Sequence, residues 1–161
     1  MFRQATAADL TALRDLERQA NLAALGHVFP PERYPFPDDA VLARWALVLE
    51  DPETRILVRD DGDGDTGLVA FAAYDGGWLR HLAVRPDHWG RGVASDAIAA
   101  VLAAIAARGG RTASLWCLEQ NQRARRLYEH LGWRATPDRQ EAAWPPYPVE
   151  MRYTRRVDRP R

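Results

Sequence analysis

The stretch WLRHLAVRPDHWGRGVASDAIAAVLAAIAARGGRTASLWCL, Trp78 to Leu118, decides the fold. Its opening segment, Trp78 to Val84, has the apolar and aromatic content of a strand, and TASLWCL, 112–118, reads as a second, buried strand. Between them Ser95 to Arg108 is helical by its alanine and leucine content, and Gly109 and Gly110 stop it. A strand, a helix of that length and a strand make a βαβ unit. Its strands are expected to run parallel, with a right-handed crossover.

Working outward toward the N-terminus, Asp75, Gly76 and Gly77 mark a tight turn before Trp78. Ahead of it, TRILVRD and TGLVAFAAY flank the polar turn DGDGD, 61–65, the composition of a hairpin. A calcium loop is the competing reading of those aspartates, but the glutamate that should close it falls on Ala72. Three consecutive strands therefore form an antiparallel meander. Further upstream, FRQAT reads as a first strand. Thr6 with Asp9 opens an amphipathic helix through Leu10, Leu13, Leu16 and Glu17, and Asp38 caps a second helix carrying Val41, Leu42, Trp45, Val48 and Leu49. Four prolines in GHVFPPERYPFP, 26–37, keep the segment between these helices irregular. Toward the C-terminus, Asn121 caps a helix reaching Leu131, Gly132 ends it, and PVEMRYTR is the last strand. The expectation is a mixed α/β (α+β) fold: one central mixed sheet with an antiparallel meander, a βαβ unit and flanking helices.

Bulk properties narrow the function. A chain of 161 residues is long enough for one domain, expected over 1–161, to bury a core without staples. Formal net charge zero, from 22 basic and 22 acidic residues, argues against a general grip on nucleic acid or an anionic membrane. The basic tail RYTRRVDRPR reads as a solvated strand and end. The apolar run 97–107 is too short to cross a bilayer and the N-terminus lacks a signal pattern, so a soluble, cytoplasmic protein is expected. Cys117 is the only cysteine, which leaves no intramolecular disulfide and no thiolate zinc cluster, and no metal is expected. There is no lysine, so Schiff-base chemistry and self-acylation on lysine are excluded.

Two constellations carry chemistry. At VRPDHWGRGVAS a strand ends at Val84 and a helix begins at Val93, presenting unpaired amides and a positive dipole end. Gly90 and Gly92 remove β-carbons that would hold a phosphate off the backbone, and Arg91 adds charge. A diphosphate fits, although a plain turn remains open on this stretch alone. Neither a Walker loop nor a dinucleotide fingerprint is present. In NQRARRLYEHLGW, Asn121 and Tyr128 lie about two turns apart on one helix face. Taken alone, they read as a helix cap and a core aromatic in the stripe Ala124, Leu127, Tyr128, Leu131.

Together, VRPDHWGRGVA, a helix, a strand and then N-x-x-A-x-x-x-Y-x-x-x-G-W resemble the GNAT-type N-acetyltransferase superfamily, which binds acetyl-CoA. Element order agrees over nearly the whole chain, with the specific motifs in about 78–133. The resemblance implies that the backbone of Leu82, Ala83 and Val84 pairs with the pantetheine arm and that the amides of Gly90, Arg91, Gly92, Val93, Ala94 and Ser95 hold the pyrophosphate. It also implies that Asn121 hydrogen-bonds the cofactor and that Tyr128 points at the thioester sulfur. One position departs from the family pattern: Trp89 stands where Gln or Arg is usual, which leaves the backbone amides available but withdraws a charge.

Direct transfer to an amine needs a base, a donor for the tetrahedral oxyanion and a proton for the leaving thiolate. A backbone amide near Leu82 to Val84 is expected to serve the oxyanion, and Tyr128 the thiolate. For the base, Trp116 occupies one position where the family can place a glutamate, leaving Glu119 and His81 as candidates, with solvent relay as an alternative. Cys117 reads as a small core residue. Phe29, Tyr34, Phe36, Trp144 and Tyr147 are candidate walls of an acceptor pocket, and Glu32, Asp38 and Asp39 hint at a cationic acceptor. The expected reaction is acetyl transfer from acetyl-CoA, with no metal, to a primary amine of a small molecule. A protein or peptide N-acetyltransferase and a non-catalytic acyl-CoA-binding module are the alternatives. Oligomeric state stays open, a homodimer included.

Overall fold

The computed structural model describes residues 1–62 and 67–158. Among these residues seven strands form a single mixed sheet: β1 (Arg3–Gln4), β2 (Thr54–Asp60), β3 (Leu68–Asp75), β4 (Trp78–Val84), β5 (Thr112–Leu118), β6 (Arg134–Glu141) and β7 (Val149–Arg156). Four helices accompany them: α1 (Leu10–Ala24), α2 (Asp38–Glu50), α3 (Val93–Ala107) and α4 (Gln122–His130). The strand order is β1-β2-β3-β4-β5-β7-β6, with β4 and β5 parallel and every other neighbour antiparallel. The expected meander and βαβ unit are both present. The DGDGD turn lies partly outside the described residues, as do the last three residues of the basic tail.

The continuous apolar run of β3 follows from burial on both faces. Ala72 and Tyr74 pack on one side with Ile98, Val101 and Ile105 of α3, whereas Phe71 and Ala73 pack on the other with Leu13 and Leu16 of α1 and Trp45 of α2. Trp45 is fully enclosed there, its ring edge-on to Phe71 with centroids 4.9 Å apart.

Two local features differ from the sequence expectation. The strand β6 was not anticipated. It contains Pro137, is exposed along nearly its whole length, and its register against β7 breaks between Ala135 and Arg139, so no apolar alternation announces it. Asp38 does not cap α2: it is the first helical residue, and its carboxylate accepts from Arg18 of α1 at 2.7 Å, tying the two helices.

The relation of β4 to its two neighbours positions everything that follows. Against β3 it is paired along its length, except that Arg80 is skipped between Leu79 and His81. This bulge bends the strand. Against β5 it pairs only at Trp78↔Ser114 and Leu79↔Leu115, after which the two parallel strands diverge. No helix of the described residues is long and apolar enough to cross a membrane.

Candidate active site

Beyond Leu79 the gap between β4 and β5 opens into a cleft of about 790 Å³. Strand β4 supplies one wall through Leu82, Ala83 and Val84, and β5 supplies the other through Trp116, Cys117 and Leu118. Arg85 N–H donates to Val69 O at 2.8 Å on β3. Because main-chain groups alternate sides along a strand, His81 and Ala83 also direct theirs to β3, while Leu82 and Val84 direct theirs into the gap. Of these, Val84 O is already taken by Trp89 Nε1 at 2.8 Å. That leaves Leu82 N–H and C=O and Val84 N–H to meet an extended ligand.

At the mouth of the gap, Gly90 and Gly92 have φ of 73° and 80°, a region costly for any side chain, and a β-carbon at either would point into open space. Asp96 donates the first helical bond of α3, to Gly92 O at 3.0 Å, so the amides of Val93, Ala94 and Ser95 have no helical acceptor. Gly90, Gly92 and these three residues all line the cleft. Bare amides, open space in front of them and the dipole of a 15-residue helix behind suit a pyrophosphate. Arg91 is exposed and does not line the cleft.

Trp89 packs beside Val69, Val84 and Val93, and the guanidinium of Arg123 from α4 lies 3.8 Å from its ring centroid. Arg123 also lines the cleft. A positive charge from another helix thus stands against the loop through a cation–π contact. Sequence reasoning missed Arg123, because its relation to Trp89 exists only across the fold.

Asn121 and Tyr128 both reach the cleft. Asn121 Oδ1 accepts from Ala124 N–H at 3.2 Å and so caps α4, leaving its amide NH₂ without a protein acceptor among the described residues. Cap and ligand donor are compatible roles of one side chain. Tyr128 is buried, its ring set against Trp133 and Tyr153 with centroids 5.9 and 6.1 Å away. Burial pushes its phenol well above the ordinary value, so it keeps its proton throughout the neutral range. The Cys117 thiol is likewise pushed up to about 12 by burial, which leaves it a core thiol rather than a nucleophile.

The two candidate bases are placed differently. His81 lines the cleft with its ring 5.1 Å from that of Trp45, and burial, with Arg44 and Arg80 nearby, pushes its pKa down to about 3. It is a neutral imidazole and a weak proton acceptor. Glu119 is exposed beyond the end of β5, 3.4 Å from Arg139, and does not line the cleft. Trp116 stacks on Trp78 at 6.1 Å.

A second cavity, of about 270 Å³, is lined by Phe29, Tyr34, Phe36 and Trp144 among others. Tyr147, 53% exposed, is not among its walls, nor are Glu32, Asp38 and Asp39. His27 bonds Gln120 O at 2.8 Å and so fastens the proline-rich 26–37 segment to the β5–α4 turn. Among the described residues no group of three or more potential metal ligands occurs.

The acetyltransferase (GNAT) family model matches residues 12–133. Among solved structures, the chain is similar to a GCN5-related N-acetyltransferase from Rhodopseudomonas palustris, at 19% identity and TM-score 0.79, over 98% of this chain and 95% of that one. It is also similar to the PaiA N-acetyltransferase of Thermoplasma acidophilum in complex with coenzyme A, at 12% identity and TM-score 0.74, covering 97% and 98%. The Escherichia coli ribosomal-protein-S18-alanine N-acetyltransferase matches at 16% identity and TM-score 0.70, covering 100% and 96%. These structures share the fold. No curated protein matches.

Proposed function

The chain belongs to the GNAT family of acetyltransferases, and from that premise we propose that it transfers acetyl from acetyl-CoA to a primary amine of a small molecule by direct attack. The observation that carries the reading is the divergence of β4 from β5 after Leu79, with the unpaired amides of the Gly90–Ser95 turn at its mouth and Asn121 and Tyr128 inside. Acetyl-CoA lies in the gap with its pantetheine arm along Leu82 and Val84, as an added strand would. Its pyrophosphate meets the Gly90–Ser95 amides, with Arg123 and Arg91 supplying positive charge nearby. Asn121 NH₂ donates to the cofactor.

Leu82 N–H is the proposed donor to the oxyanion that forms on the thioester carbonyl. The leaving sulfur receives a proton from Tyr128, which recovers one from the attacking nitrogen. His81 lines the cleft as a neutral imidazole, and Glu119 stands outside it beside Arg139.

The test is release of CoA thiol from acetyl-CoA by the pure protein across a panel of amines, with acetyl-CoA binding measured by calorimetry. Thiol release with a small amine supports the proposal. Tight binding with no release from any amine supports an acyl-CoA-binding module, and release only with peptide N-termini supports a protein acetyltransferase.

A further inference from the structure

The two cavities meet at one turn of α1. Glu17 and Asn21 line both the cleft and the aromatic pocket, whereas the pocket's other walls belong to it alone. On the helix they are four residues apart, so their side chains lie on one face at the junction. Glu17 Oε2 is held there by Arg44 of α2 and by Trp45 Nε1, the latter at 2.6 Å. Glu17 Oε1 has no protein partner among the described residues, yet it is not among the buried polar atoms left without one, so it opens onto the cavities. The Asn21 side chain also lacks a protein partner among the described residues. A fixed carboxylate oxygen and a free amide therefore stand between the thioester cleft and the pocket.

The pocket specifies what hangs from the amine. Phe29, Tyr34, Phe36 and Trp144 make it aromatic, and at about 270 Å³ it lies below the usual range of about 300–1,000 Å³ for drug-sized ligands. It suits a single ring or a compact branched body. Arg33 lines it too, its guanidinium 5.5 Å from the Tyr34 ring centroid and with no carboxylate in ion-pair range among the described residues. A second cation on the acceptor would meet this charge, with no acidic side chain except Glu17 lining the pocket.

We propose that Glu17 Oε1 and Asn21 receive the acceptor's amino group and that the acceptor is a small monoamine with an aromatic or similarly compact apolar body. This rests on the acetyl-transfer reading and gives it a substrate class. The ammonium gives one proton to Glu17, which passes it to solvent. The freed lone pair forms the C–N bond at the thioester carbonyl, collapse of the oxyanion then breaks the C–S bond, and the second nitrogen proton replaces the one Tyr128 gives to sulfur.

The test compares 2-phenylethylamine with spermidine as acceptors for wild type, Glu17→Gln and Asn21→Ala, with acetyl-CoA affinity measured on each protein. The expected result is a kcat/KM at least roughly tenfold higher for 2-phenylethylamine, reduced about 10²–10⁴-fold by Glu17→Gln with acetyl-CoA affinity unchanged. Because Glu17 also ties down Arg44 and Trp45, Asn21→Ala is the independent probe: it should raise the KM for 2-phenylethylamine about tenfold. A preference for spermidine, or turnover within about twofold of wild type in both variants, overturns the acceptor assignment while leaving acetyl transfer standing. A wild type that binds no acetyl-CoA or acetylates no amine overturns both.

Discussion

The proposed cofactor half and the proposed acceptor half of this molecule offer their ligands different kinds of group. Around β4, α3 and α4 the groups proposed to meet the ligand are largely main chain: Leu82 and Val84 along a half-paired strand, and the amides from Gly90 to Ser95 at a helix start. Around α1, the 26–37 segment and Trp144 they are side chains, drawn together from distant parts of the chain. Main-chain recognition demands particular backbone conformations, hence glycines at fixed spacing. Side-chain recognition demands only that certain groups converge, which almost any spacing can achieve.

The contrast is sharpened most by Tyr128→Phe, which removes a side chain's chemistry from the main-chain half. It should lower kcat about 10²–10⁴-fold while leaving the acetyl-CoA dissociation constant unchanged. Wild-type turnover at every pH would remove the acid role.

A smaller effect is expected from Arg123→Ala. Arg123 is exposed and held by a cation–π contact, so its loss should weaken acetyl-CoA binding roughly fivefold, about 1 kcal/mol, and less at high salt. A loss that does not shrink with salt would mean that Arg123 acts by supporting Trp89 rather than by its charge.

The smallest concerns stability at the boundary between the halves, where His81 faces Trp45. Its folded pKa, about 3, lies below the ordinary 6.5, so between those values the unfolded chain binds a proton that the folded one does not. Stability should therefore fall as pH drops from 7 to 6, by about 0.7 kcal/mol more in wild type than in His81→Gln, measured by urea unfolding. Equal slopes would show that His81 is not kept neutral by the fold.

The same contrast explains what could be read from the chain alone. The βαβ unit, the glycine turn and the Asn121–Tyr128 spacing were visible because helix length, positive φ and helical period leave marks on sequence. Phe29, Tyr34, Phe36 and Trp144 were recognisable as candidate walls by type, but Tyr147, of the same type, faces away, and no pattern separates it from them. Glu17 looked like an ordinary polar position on an amphipathic helix. Its partners Arg44 and Trp45 lie on α2, and the cavity it faces is completed by residues more than 100 positions later. The strand β6 was hidden for a related reason: exposed and broken in register, it is specified by pairing with β7 rather than by its own composition.

Amide hydrogen exchange with and without saturating acetyl-CoA decides whether the cofactor is held chiefly by backbone between the diverging strands. Backbone holding should slow exchange at Leu82, Val84 and Gly90 through Ser95, with β2 and the 26–37 segment unchanged. Protection confined to the 26–37 segment, or none at the Gly90–Ser95 turn despite demonstrated binding, would contradict it.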